Sequence, residues 1–138
     1  MRTLGNLLLT ILTFLTPIKF LVLMVVGFIL LDTILGVYST IKLNGRKSYK
    51  SSRFFNIVIK TFFYTSTILL FFLVDNFILG GSLWGIPYLL SKSISVLWIY
   101  SETKSMDETS IKLGNRPIFD IIKEMVFRFK DLKKDLNE

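Results

Sequence analysis

The sequence has no cysteine and no histidine, and only three prolines among 138 residues. The missing thiols and imidazoles exclude disulfides, thiol chemistry, His-based catalysis and most zinc or haem ligation. Without cysteine, the chain carries no sign of its redox compartment. No phosphate-cradling glycine loop is present. Ser91-Lys92 is a poor Ser–Lys nucleophile pair, because neighbours on a helix point about 100° apart. Asp32 and Asp75 are expected near opposite faces of a membrane and so do not form a proton-sharing pair. No catalytic set, metal or cofactor is expected.

Charge is also scarce where it is needed for solubility. Residues 1–101 hold nine Lys/Arg and only two acids, Asp32 and Asp75, whereas 102–138 hold eight of each sign. With 51% hydrophobic residues and 13 Phe, the chain is too apolar for a soluble domain of this length. The expected class is an all-α integral membrane protein with the lipid bilayer as its first partner. It should comprise a short apolar N-terminal helix (1–17), three spans (18–101) and a tail with an amphipathic helix (102–138).

The arrangement turns on the stretch from Lys42 to Arg53. Lys42, Arg46, Lys47, Lys50 and Arg53 place five cations and no anion in twelve residues. A short loop of this kind is kept on the cytoplasmic side. Asn44-Gly45 is a turn signal suited to a hairpin between helices. A nucleic-acid patch is the competing reading of such a run, but the flanking apolar spans favour topology. Spans over about 18–41, 54–79 and 82–100, the last interrupted by Pro87, then put 76–85 outside and the tail inside. The tail has eight Lys/Arg and the outer turn none, in agreement with this.

Ahead of these spans, Thr3–Thr16 is apolar and stops at Pro17. About 14 helical residues reach only ~21 Å, short of a ~30 Å hydrocarbon core. Arg2 makes a thin n-region and no A-x-A-like site follows, so the segment is expected to be retained. Thr3, Asn6, Thr10 and Thr13 form an uncharged stripe. Two readings stand: an interfacial helix, or a stripe facing neighbouring copies or a water-filled lesion.

Ionisable residues inside spans are costly and are expected to pair or to face water. Asp32 and Lys60 fall at similar depth toward the inner end, within reach of each other through the lysine stem. Lys19 and Asp75 fall at similar depth toward the outer end, where Lys19 can instead snorkel. Lys92 has no unique partner. Gly36/Thr40, Gly81/Gly85 and Ser91/Ser95 are small-xxx-small pairs that permit close helix approach and hence a homo-oligomer. In the tail, Gly114-Asn115 breaks a polar extension of the third helix, and Pro117 suits the first turn of another. There Ile118, Ile122, Met125, Phe129, Leu132 and Leu136 repeat in a heptad seam under three heptads long. A coiled coil, a partner-binding helix, or a helix on the inner leaflet with Lys123, Arg128, Lys130, Lys133 and Lys134 at the headgroups are the readings it leaves open.

Asp32-x-x-x-Gly36, a basic loop, Ser51-Ser52 and then Lys60 resemble the first hairpin of the small phage holins grouped as toxin-secretion/phage-lysis holins. Glu102-x-x-Ser105-Met106-x-Glu108-Thr109, with Gly114 and Pro117 after it, is similar to that family's E-x-x-S-I-x-E-N stretch with its following glycine and proline. The resemblance covers roughly 20–117. Met106 and Thr109 depart from the usual Ile and Asn, and the Thr3–Thr16 segment is an addition. The resemblance implies a non-enzymatic lysis protein that oligomerises in the host inner membrane and opens lesions for a phage endolysin. The endolysin would be a functional rather than a binding partner, and no nucleic acid is involved. An anchor, adaptor or superinfection-exclusion protein and a small ion-channel subunit, with Asp32 and Lys60 lining the path, are the alternatives.

Overall fold

A computed structural model describes residues 2–45 and 52–135. Arg46, Lys47 and Lys50 of the basic loop lie outside the described residues, as does the side chain of Arg53. Helix α1 (Arg2–Phe14) leads through a 3-10 turn (Thr16–Ile18) at Pro17 into α2 (Lys19–Asn44). After the basic loop come α3 (Ser52–Phe77), a hairpin of β1 (Ser82–Leu83) and β2 (Ile86–Pro87), α4 (Leu89–Lys112) and α5 (Ile118–Asp135). Helices α2, α3 and α4 pack together as a three-helix bundle.

Helix α2 is apolar nearly all round, the pattern of a helix in a wholly apolar setting. Its inner stripe of Val25 and Ile29, with Ile18 from the preceding turn, meets Tyr64, Ile68 and Phe72, spaced four apart on α3. The outer faces are just as apolar: Phe20, Leu23, Met24, Ile34, Phe55 and Phe62 are all exposed. The buried set includes Ser39, Asp75, Ser91, Ser95 and Glu102. Polar groups inside and hydrocarbon outside reverse the order of a water-soluble fold and match a bundle whose solvent is lipid. Two helices, Thr16–Asn44 and Phe55–Phe77, are long and apolar enough to cross a membrane.

The third expected span is altered. Ser82–Pro87 is drawn off into the hairpin, in register Ser82 opposite Pro87 and Leu83 opposite Ile86. Trp84 and Gly85 at its tip both have positive φ, the combination that a two-residue turn with the twist of its strands requires. The helix begins only at Leu89, so its apolar part, residues 89–100, is about 18 Å long. It then runs unbroken through 101 and 102, where the tail was expected to begin, and ends before Gly114 at φ +79°. Glu102 is therefore part of the bundle helix.

Hydroxyl groups are spent locally. Thr10, Thr13, Thr16, Thr33, Thr40 and Thr103 each donate to the carbonyl four residues back. Such bonds leave no donor in need of water. On α1, where Leu7, Leu9 and Leu12 are exposed, the polar stripe is thus compatible with apolar surroundings. At the end of α1, Phe14 packs edge-on against Phe72 at 5.2 Å between ring centres.

Helix α5 is held at the far end of α4. The Asp107 carboxylate accepts from the Phe119 amide (3.1 Å), and the Ser110 hydroxyl donates to the Arg116 carbonyl (2.8 Å). Arg116 and Glu124 form a 2.7 Å ion pair. The hydrogen bond from Arg116 and its charge hold the exposed Glu124 carboxyl below its usual pKa. Because the folded value is depressed, this contribution is present through the neutral range. It is lost as pH falls through the folded value, below the ordinary carboxylate range.

At the opposite end of α4, Asp75 does the corresponding work. It is buried and accepts from the Leu90 amide (3.2 Å), the Ser91 amide (2.8 Å) and the Ser91 hydroxyl (2.6 Å). A carboxylate from α3 thereby caps α4, whose own preceding residue, Tyr88, supplies no side-chain cap. Asp75→Val should destabilise the bundle by about 1–3 kcal/mol through the unmet amides, and Asp75→Asn by less. Unfolding from detergent micelles, followed by circular dichroism, measures both; equal losses would show that the cap is not what matters.

Candidate functional site: an intramembrane charge triad and its polar cleft

Lys60 on α3 is the centre of the site. Its Nζ lies 3.2 Å from Asp32 Oδ2 on α2 and 3.0 Å from Glu102 Oε2 on α4. The Tyr64 hydroxyl, one helical turn along α3, donates to the other Glu102 oxygen at 2.8 Å. One cation thus ties all three bundle helices together, and both oxygens of the buried Glu102 are satisfied. Charge-assisted bonds of this kind are the strong ones, and leaving a partner unmet away from water costs more than the bond itself. Next to the triad, Tyr64 stacks on Trp98 at 4.0 Å, and the Trp98 indole N–H donates to the Thr67 hydroxyl at 2.9 Å.

A cleft of about 300 Å³ opens beside the triad, lined by Asp32, Thr33, Gly36, Asn56, Ile57, Lys60, Ser105 and Thr109. A second, of about 220 Å³, shares Gly36 and Thr109 and continues past Ser39 and Thr40 to Asn44 and Lys112. Together they form a polar path between α2 and α4 from the charges to the basic end of the bundle. Toward the other end, the buried Val25, Ile29, Ile68 and Phe72 fill the interior.

The expected site residues divide clearly. Asp32 and Lys60 meet, and Gly36 lines the cleft beside them. Asp75 is engaged with Ser91 and Leu90, and among the described residues no ion pair joins it to Lys19. Lys19 is exposed, with its ammonium 5.0 Å from the Phe20 ring centre. The physical reason is that two α4 amides and the Ser91 hydroxyl offer a buried carboxylate three donors without desolvating a second charge. Lys92 is exposed in the first turn of α4, and Ser91 serves as a cap partner rather than as a nucleophile. Lys42 is exposed in the last turn of α2, 5.8 Å from the Tyr38 ring centre. Of the motif after the spans, Glu102, Ser105 and Thr109 face the bundle interior or its cleft, whereas Glu108 is exposed. Gly114 and Pro117 form the bend between α4 and α5.

What the residues alone did not reveal is the pairing of Glu102 with Lys60, since Glu102 reads as the start of a polar tail. A signal existed: Ser91, Ser95, Glu102 and Met106 are spaced four, seven and four apart, which is one helix face. All four are buried.

A family model described as "Bacteriophage holin family" matches residues 9–131. The chain belongs to the bacteriophage holin family. The match runs from α1 through α5 and so includes every member of the triad. No curated protein and no solved structure matches it significantly. Membership in this membrane protein family agrees with the two helices long enough to cross a bilayer.

For the triad of this holin-family protein, removal of the cation should be the most damaging single change. Lys60→Met leaves Asp32 and the buried Glu102 without their counter-charge and should cost about 1–3 kcal/mol, reduced from a fully buried case by the partial exposure of Lys60. Glu102→Gln or Asp32→Asn alone should cost less, and the triple neutral variant less than the sum. Detergent-unfolding midpoints for the full cycle test this. Additive losses would mean the three groups act independently.

Proposed function

We propose that this protein works as a phage holin: copies oligomerise in the host inner membrane and open lesions through which an endolysin reaches the cell wall. The observation that carries the reading is the inverted bundle, apolar outside, with a charge triad and a polar cleft inside. In a single copy these polar groups satisfy one another, so dispersed molecules remain stable in lipid. Helices that separate and line a shared water-filled wall would expose the same groups to water at little cost, and this becomes possible only when many copies share the perimeter. The activity is therefore collective and non-enzymatic.

Helix α4 crosses as the third span in this proposal. Its apolar part is short, but Ser91, Ser95 and Glu102 are buried, and the exposed Lys92 and Lys104 lie within about a turn of the two ends of the crossing, where their stems can snorkel. From Leu89 to Asp107 it rises about 27 Å, close to the thickness of a hydrocarbon core. The basic loop and the C-terminus then lie in the cytoplasm, with the hairpin of exposed Trp84 at the outer interface, where aromatic residues are favoured. A channel formed by one copy is less well supported, because the polar path gives way at Val25, Ile29, Ile68 and Phe72 to packed hydrocarbon.

The topology predicts that a single cysteine at Ser82 reacts with membrane-impermeant maleimide in intact spheroplasts, whereas one at Ser48 reacts only after lysis. External labelling of Ser48 would reverse the arrangement. Expressed with a cytosolic endolysin, the protein should give a delay and then abrupt lysis with release of the folded enzyme. Cells that lose only membrane potential and retain the endolysin would point to a small pore, and normal growth at high membrane abundance to an anchor or adaptor.

A further inference from the structure

Helix α5 presents Phe119, Ile121, Ile122, Met125, Val126, Phe127 and Phe129 all exposed, a larger apolar surface than a cytoplasmic helix can leave in water. At about 100° per residue, Ile118, Ile121, Ile122, Met125, Val126 and Phe129 occupy an arc of about 140°. This is wider than a heptad seam and suits a flat apolar medium better than a single partner helix. The charges are ordered around that arc. Lys123 and Arg128 flank it on either side, while Asp120 and Glu124 lie across from it, in the middle of the polar face. The sequence repeats the order, with Lys130 and Lys134 in the register of Lys123, and Asp131 and Asp135 in that of the acids. Three residues depart from it: Phe127 on the polar face, Phe119 just beside the arc, and Lys133 within the arc near the end of the helix.

From this arrangement we infer that α5 lies in the plane of the inner leaflet and docks on anionic phospholipid. Flanking Lys and Arg side chains can run along the apolar face and place their charges at lipid phosphates, and the acids then point to water, away from the negative surface. Five cations and four anions fall between 118 and 135, so it is their placement rather than net charge that selects the surface. The bonds from the Phe119 amide to Asp107 and from Arg116 to Glu124 start α5 at the level of Asp107. That level is the inner interface if the bundle crosses as proposed, and on this reading the inference rests.

The absence of native cysteine allows a single spin label at each site of the full chain reconstituted in vesicles. In phosphatidylglycerol-containing vesicles, a label at Met125→Cys should be several-fold more accessible to oxygen than to a water-soluble nickel chelate, and one at Asp120→Cys the reverse. The immersion at Met125 should fall in phosphatidylcholine vesicles and in the Lys123→Gln/Arg128→Gln variant. Equal nickel access at both sites would overturn the docking. So would a Met125 label shielded from both reagents with spin–spin broadening, which would indicate a second copy. Immersion indifferent to lipid charge and to the glutamine variant would overturn the anionic preference. These readouts measure depth, so failure of the lysis reading, seen in cells, or of the topology, seen by maleimide labelling, is distinguishable from failure here.

Discussion

The structure depends on the rule that a polar group removed from water must find its partner within the protein. Where the three bundle helices meet, the rule is met by a single ammonium. Lys60 draws one carboxylate from α2 and one from α4 onto α3, and Tyr64 takes up the remaining oxygen of Glu102. With hydrocarbon on the outside there is little hydrophobic drive to hold helices against each other, so directed bonds and close packing carry association. The indole bond from Trp98 to Thr67 and the capping of α4 by Asp75 serve the same end.

The two ends of the bundle answer different needs. At the hairpin end a buried carboxylate meets helix amides and, among the described residues, no cation, and the neighbouring lysines Lys19 and Lys92 stay exposed. Toward the basic-loop end the charges are paired but open onto a cleft lined by Asn56, Ser105 and Thr109. This asymmetry suits a protein proposed to be inert when dispersed and permeabilising when assembled. The half nearer the hairpin is filled with packed hydrocarbon, while the half nearer the basic loop holds the polar surface that the proposed lesion would require.

Most of the architecture was legible in the residues. Two long apolar runs separated by a cationic loop, an apolar segment ended by Pro17, and an amphipathic helix after Pro117 follow from the length, charge and periodicity of local stretches. The meeting of Asp32 and Lys60 was legible for the same reason, because depth within a span is a matter of counting residues. The hairpin at Ser82–Pro87 was harder to see, since Trp84 is an unusual residue for positive φ and Pro87 reads equally as a kink within a helix.

The sequence by itself therefore determined that the chain belongs in a membrane, where its two long apolar helices fall and how far along each of them the charges sit, because these properties depend on neighbours along the chain. Only the tertiary structure decided which of those charges touch. Two carboxylates at different depths could each have taken a cation; Asp75 took the amides of α4, and Lys60 took a third acid from beyond the apolar run. Both choices depend on how α4 rotates against α2 and α3, and that angle is set by the packing of all three helices at once rather than by any one stretch of residues.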